Sequence, residues 1–147
     1  MTILALDLGN TFGYAIKQSN AINSGWERLT KGKCDPGIKF HNFEYWLQEQ
    51  GDLNLSSIYY EDVVRHCSKY NARAYCGYLA ILQSYCYTHD IKCEGIGVKT
   101  VKKFWTGNGN ATKEMMIHKA NERGFDIIND NEADALALLH YVIENKL

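Results

Sequence analysis

Three acidic residues sit where a folding chain does not readily leave charge. Asp7 follows the apolar run Ile3-Leu4-Ala5-Leu6 and precedes Leu8. A carboxylate in such a run is costly unless it is paired, protonated or bound to a cation. Two readings stand for it: a metal ligand at a strand's end, or an acid bonding to the amides of the next turn. Glu61 closes Ile58-Tyr59-Tyr60 in the same manner, at the carboxyl end, where mixed α/β sheets place functional groups. Asp62 competes with it, and the two-residue alternation of a strand decides which of them faces Asp7. Asp134 is surrounded by Ala133, Ala135, Leu136, Ala137 and Leu138. Asp130 and Glu132 suit the first turn of a helix, where acids favour the dipole and the free N–H groups. Asp134 lies one turn further in and is not explained that way. Asp130 and Asp134 are four apart and share a helix face.

If these acids converge, their chemistry is constrained. Two carboxylates about 4 Å apart repel by about 4 kcal/mol at an effective dielectric of about 20. A cluster drawn from Asp7, Glu61, Asp130, Glu132 and Asp134 therefore needs cations. His66, His89, His118 and His140 show no metal spacing. An all-oxygen donor set favours Mg²⁺, with Mn²⁺ as a substitute. Two such ions about 4 Å apart clamp the attacking and leaving oxygens of a phosphoryl transfer. The substrate class that follows is a phosphodiester, with water as nucleophile.

The elements that must position these groups are legible in outline. Residues 3–8 read as a buried strand, 9–11 as a turn, 13–16 as the returning strand and 22–29 as a third. Residues 30–37 are loop-like, and 38–50 place Ile38, Phe43, Trp46 and Leu47 near helical spacing, with Gly51 as a stop. A fourth strand covers 57–61, a polar stretch runs from Asp62 to Asn71, and the longest helix covers 72–89. A fifth strand covers 92–98, helices follow at 99–105 and 112–123, and a last helix runs from about Asn131 to Asn145. This order predicts an α/β fold: a five-stranded mixed sheet, three antiparallel strands then two parallel, with helices on both faces.

The whole of 1–147 is expected to form one domain, since 147 residues give one core. The opening Met-Thr-Ile-Leu-Ala-Leu-Asp lacks the basic segment of a secretory signal. Cys34, Cys67, Cys76, Cys86 and Cys93 form no C-x-x-C pair, so free thiols and a cytoplasmic location are expected. The net charge of −1 excludes a globally basic nucleic-acid binder. The charge is unevenly spread, however: residues 92–123 carry seven Lys or Arg against three Glu, and 124–147 carry five acids against one Lys. Lys102-Lys103-Phe104-Trp105 interleaves cations with aromatics, as nucleic-acid surfaces do, although the two rings also suit a core. The glycine-rich loop 106–110 lets phosphate approach backbone N–H groups. Lys113, just past it, is the candidate contact near a scissile phosphate, and Lys31 and Lys33 are candidate DNA contacts in a loop. The 72–89 helix is apolar on more than one side, which fits a dimer face or ordinary core packing.

The order and spacing of these blocks resemble the RuvC-type Holliday junction resolvases of the ribonuclease H-like superfamily, in a phage-like variant. Leu4-Ala5-Leu6-Asp7-Leu8-Gly9-Asn10 and Gly13-Tyr14-Ala15 resemble that family's first hairpin with its metal-binding Asp. Tyr60-Glu61 resembles its strand-four Glu. The stretch from Val101-Lys102-Lys103 to Lys113 resembles the segment before its DNA-facing helix, and Glu132-Ala133-Asp134-Ala135-Leu136-Ala137 its terminal helix. The resemblance implies a Mg²⁺-dependent homodimer that binds a four-way DNA junction and makes paired nicks, and no nucleotide cofactor is expected. No membrane is expected either, since no apolar run approaches the roughly 20 residues a span needs. One position departs from it. The ligand expected three residues before the last Asp is the neutral Asn131, which leaves Asp130, then Glu132, as the charged alternatives. Two other readings remain: an RNA-processing nuclease of the same fold, or a catalytically weak branched-DNA-binding protein. The Asp7–Thr11 segment also resembles the phosphate loop of actin-like kinases, which need two such domains.

Overall fold

The apolar run at the amino terminus becomes a central strand. In the computed structural model, which describes residues 1–147, β1 (Thr2–Asp7) pairs antiparallel with β2 (Thr11–Gln18), and β2 with β3 (Ala21–Arg28). β4 (Leu55–Asp62) lies parallel to β1 on its other side, and β5 (Lys92–Gly97) parallel to β4. The sheet order is β3-β2-β1-β4-β5, the mixed arrangement expected from the sequence. Ile3, Leu4, Ala5 and Leu6 have no exposure at all. A strand covered on both faces reads as unbroken apolar residues rather than as alternation.

Two helical layers provide that cover. α1 (Ile38–Glu49) and α2 (Lys69–Thr88) pack with Leu4, Leu6, Phe12 and Ile58 on one face. α3 (Val98–Thr106), α4 (Lys113–Glu122) and α5 (Asp130–Asn145) pack with Ile3, Ala5, Ala15 and Tyr59 on the other. Period-2 alternation then puts Asp7 in line with Ile3 and Ala5, and Glu61 in line with Tyr59. Both acids therefore face the α5 layer, and Asp62 does not.

Some boundaries differ from expectation for local reasons. α2 begins at Lys69 rather than 72, because the Ser68 side chain caps it by accepting from the Asn71 N–H. A short 3-10 turn occupies Gln50–Leu53, where the sequence predicts a simple helix stop at Gly51, and Asn54 takes a left-handed conformation at its end. β2 and β4 are longer than expected, eight residues each. Phe104 and Trp105, which allowed two readings, belong to the interior. Trp105 is 1% exposed and donates its indole N–H to the Met116 carbonyl, while Phe104 packs edge-on against Tyr141.

α5 meets the sheet unusually closely at its amino end. A Cβ added to Gly13 would lie 1.8 Å from the Asn131 carbonyl oxygen. Glycine inside a strand marks such an approach of another backbone, and here Gly13 is the β2 partner of Asp7. Gly13→Ala sets backbone against backbone, which no rotamer change relieves. We expect it to destabilise the chain by about 3 kcal/mol, read as a lowered urea midpoint. An unchanged midpoint would show that α5 can lift without cost.

Candidate metal centre

Asp7 ends β1, Glu61 stands one residue before the end of β4, and Asp134 lies in the second turn of α5. Fifty-four residues separate the first two and 73 the last two, yet one carboxylate oxygen from each lies within 4.8 Å of the others. β1 and β4 bring their ends together because they are adjacent and parallel. α5 reaches them because alanines at 133 and 137 and Gly13 and Ala15 beneath leave little between helix and sheet.

Glu61 is 4% exposed, and its Oε1 is buried without a hydrogen-bond partner. Burial lifts the Glu61 carboxyl to about 8; the Asp134 charge adds to this, and Lys102 and a hydrogen bond with Asp7 oppose it. Burial also lifts Asp134 to about 7, with Lys102 opposing, Asp130 adding and Lys113 opposing. Asp7 is raised well above the usual carboxylate range, by burial first and then by the charges of Glu61, Asp134 and Asp130. The three acids cannot all be ionised near neutrality without cations. A buried oxygen with nothing to accept from and three converging carboxylates are a hard-ion donor set, which fits Mg²⁺ or Mn²⁺.

The other residues singled out in the sequence divide by position. Asp130 stands outside the three-acid group, close enough to raise Asp7 and Asp134, and its Oδ2 lies 3.5 Å from the Lys113 Nζ. Glu132 is turned elsewhere: its Oε1 accepts a 2.7 Å hydrogen bond from the Ser24 hydroxyl on β3. Lys102 is half-buried and bears on both Glu61 and Asp134, while Lys103 beside it is exposed. Lys31 and Lys33 are exposed in the loop after β3. That loop is tied to the β1–β2 turn, because Leu29 N–H donates to the Asn10 carbonyl and the Thr30 hydroxyl to the Asn10 side chain.

Sequence reasoning missed two features. Gly13 and Ser24 are small residues in strands, a weak sign that something packs close. A groove of about 620 Å³ is lined by Arg65, Gly97, Lys99, Lys102 and Asn110, among others. Arg65 sits in a segment read only as polar.

No family model matches the chain, and no curated protein matches it in sequence. Solved structures do match. Thermus thermophilus RuvC in complex with a Holliday junction substrate superposes with a TM-score of 0.75, covering 94% of this chain and 90% of that one at 16% identity. A second T. thermophilus RuvC structure gives 0.70, covering 98% and 96%, also at 16% identity. The fold is that of RuvC. The yeast mitochondrial Holliday junction resolvase Ydc2 shares it, with a TM-score of 0.63 and 14% identity over 92% of this chain and 75% of that one. Such identities establish the architecture and leave the chemistry to the residues. In this RuvC fold the acids fall at the carboxyl ends of two adjacent strands and on the helix that crosses them. No helix of the chain is long and apolar enough to cross a membrane.

Proposed function

We propose that this chain is a metal-dependent, structure-selective DNA endonuclease that resolves four-way junctions by phosphodiester hydrolysis with paired nicks. The observation that carries the reading is the convergence of Asp7, Glu61 and Asp134, with one Glu61 oxygen left unpartnered, on a fold shared with junction resolvases. Two divalent ions held by these carboxylates supply the positive charge that stabilises the attacking and leaving oxygens in such a reaction.

The chain's own residues hold and orient. Asp7, Glu61 and Asp134 hold the ions, and Asp130 borders them as the charged group next to the neutral Asn131. Lys102 and Lys113 neutralise part of this charge in the ion-free state, and on binding they offer ammonium groups to phosphates beside the scissile bond. Lys103 extends the cationic surface on α3, and Lys31 and Lys33 extend it beyond the β1–β2 turn. A four-way junction presents two equivalent strands, so a homodimer with two such centres accounts for paired nicks. The exposed Tyr70 and Tyr87 on α2 leave apolar surface for a second copy. The free thiols of all five cysteines suit the reducing cytoplasm we assign to it.

A nicking assay in Mg²⁺ tests the reading. A synthetic four-way junction is compared with duplex DNA, a replication fork and an RNA/DNA hybrid. Junction cleavage well above duplex supports it; preference for the hybrid favours an RNA-processing nuclease instead. Binding without cleavage favours a junction-binding protein.

Lys113 offers a narrower check. Its side chain is 76% exposed and its pairing with Asp130 is at the surface, so Lys113→Ala is expected to change stability by no more than about 0.5 kcal/mol. Loss of one phosphate contact should weaken junction binding and reduce the slope of log affinity against log salt by about 1. An unchanged slope and rate would remove Lys113 from the DNA path.

A further inference from the structure

We propose that Glu132 and Ser24 form a positioning pair that sets the rotation of α5 and so delivers Asp134 to the ion-binding centre. This rests on reading Asp7, Glu61 and Asp134 as that centre. Glu132 lies two residues before Asp134, about 200° round a helix of 3.6 residues per turn. It therefore cannot share an ion with Asp134 without unwinding the turn, and it is engaged on the other side.

The Ser24 hydroxyl donates to Glu132 Oε1 across 2.7 Å, linking β3 to the first turn of α5 over 108 residues of chain. Two further contacts hold that turn. The Asn129 side chain caps it by accepting from the N–H groups of Asn131 and Glu132. The Asn131 backbone rests on Gly13, at the β2 position paired with Asp7. The cap fixes where the helix starts, and Gly13 fixes how close it comes to the sheet. Neither fixes its rotation about its own axis. A directional hydrogen bond from a neighbouring strand does, and Ser24–Glu132 is the only side-chain hydrogen bond that ties this turn to the sheet. Ser24 is on the correct face: it pairs with Ala15, which packs in the α5 layer. The bond is part-buried, so water is a poor replacement for either partner.

Outer contacts that orient ligands commonly govern metal affinity by about 10- to 100-fold. Mg²⁺ and Mn²⁺ binding to the intact chain would be measured by calorimetry for wild type, Ser24→Ala, Glu132→Ala, the double variant and Glu132→Gln. Thermal melts of the ion-free chains and hydrogen exchange at the amides of 131–134 would be run alongside. Ser24→Ala and Glu132→Ala are each expected to weaken ion binding about tenfold. The double variant should be no weaker than either single one, and exchange at 131–134 should speed up. Glu132→Gln keeps an oxygen that accepts from Ser24, so it should bind ions within about threefold of wild type.

Full affinity in Ser24→Ala, or independent losses that multiply in the double variant, would overturn the pair. So would a Glu132→Gln as weak as Glu132→Ala, which would make the charge itself the working part. A wild-type chain that binds neither ion would instead overturn the ion-centre reading, and the exchange data would still report whether Ser24 orders the turn.

Discussion

Asp7→Asn is expected to lower Mg²⁺-dependent nicking of a four-way junction by on the order of a hundredfold or more, with junction affinity changed only a few-fold. Glu61→Gln and Asp134→Asn are expected to do the same. Each substitution keeps the shape of the side chain and removes the charge that makes it a strong ligand for a hard ion. Binding should survive because the proposed DNA contacts are lysines on α3, at the start of α4 and in the loop after β3. None of these is held in place by the three acids. Removing a negative charge also relieves repulsion of the DNA backbone, so affinity in ion-free buffer should rise slightly if it moves at all. Equal nicking by wild type and all three variants would exclude this centre. Loss in Asp62→Asn with Glu61→Gln active would contradict the strand register that turns Glu61 toward Asp7.

These three acids were legible in the sequence because each breaks an apolar pattern. Asp7 closes β1 and Glu61 stands one residue before the end of β4; the buried face of each strand is set by alternation, so their side chains had few directions available. Asp134 interrupts an alanine and leucine run that had to lie against the sheet. The sheet itself was readable for the same reason: hairpin turns and alternating helices leave few topologies. The surroundings of Asp134 were harder to read. Asp130, Asn131 and Glu132 are all polar and all lie in a first turn, where acids are favoured irrespective of function. Which of them meets the centre depends on how α5 lies on the sheet, and the residues that bear on this are more than 100 positions away: Gly13 sets its distance, and in the pairing proposed above Ser24 sets its rotation. A glycine and a serine within strands announce a close neighbour without naming it. Trp105 was ambiguous in a different way. An aromatic beside lysines suits both a DNA surface and an amphipathic helix, and only the packing of α4, which supplies the Met116 carbonyl, decides for the interior.

The ion-free chain should lose stability as pH rises, and divalent ions should abolish that loss. Glu61 and Asp134 are raised in the folded chain to about 8 and about 7, from ordinary values of 4.5 and 3.8. A raised carboxyl binds its proton more tightly folded than unfolded, so its stabilising contribution is complete below the unfolded value. It fades as pH climbs towards the folded one. The window is therefore about pH 4 to 8, with Asp7 adding to it in the same direction. His140 works the other way. Burial, then the nearby Arg123, lowers it below its ordinary 6.5, so its protonation destabilises the fold at acid pH and masks part of the trend there. The informative range is pH 6.5 to 8. Each pKa unit is worth about 1.4 kcal/mol, and across that range the loss should come to about 3 kcal/mol. For a chain of this size that is roughly a 10 °C fall in Tm. Mg²⁺ at about a hundred times its Kd should add about 2.7 kcal/mol and flatten the profile, because the ions replace the protons that the acids otherwise need. Glu61→Gln removes one of the three raised acids and should make the ion-free profile shallower, with Asp134 and Asp7 keeping part of the slope, and melt above wild type at pH 8. A wild-type Tm that stays level from pH 6.5 to 8 in chelator would mean that Asp7, Glu61 and Asp134 are not buried together in solution. The case for an ion between them would then lose its physical basis.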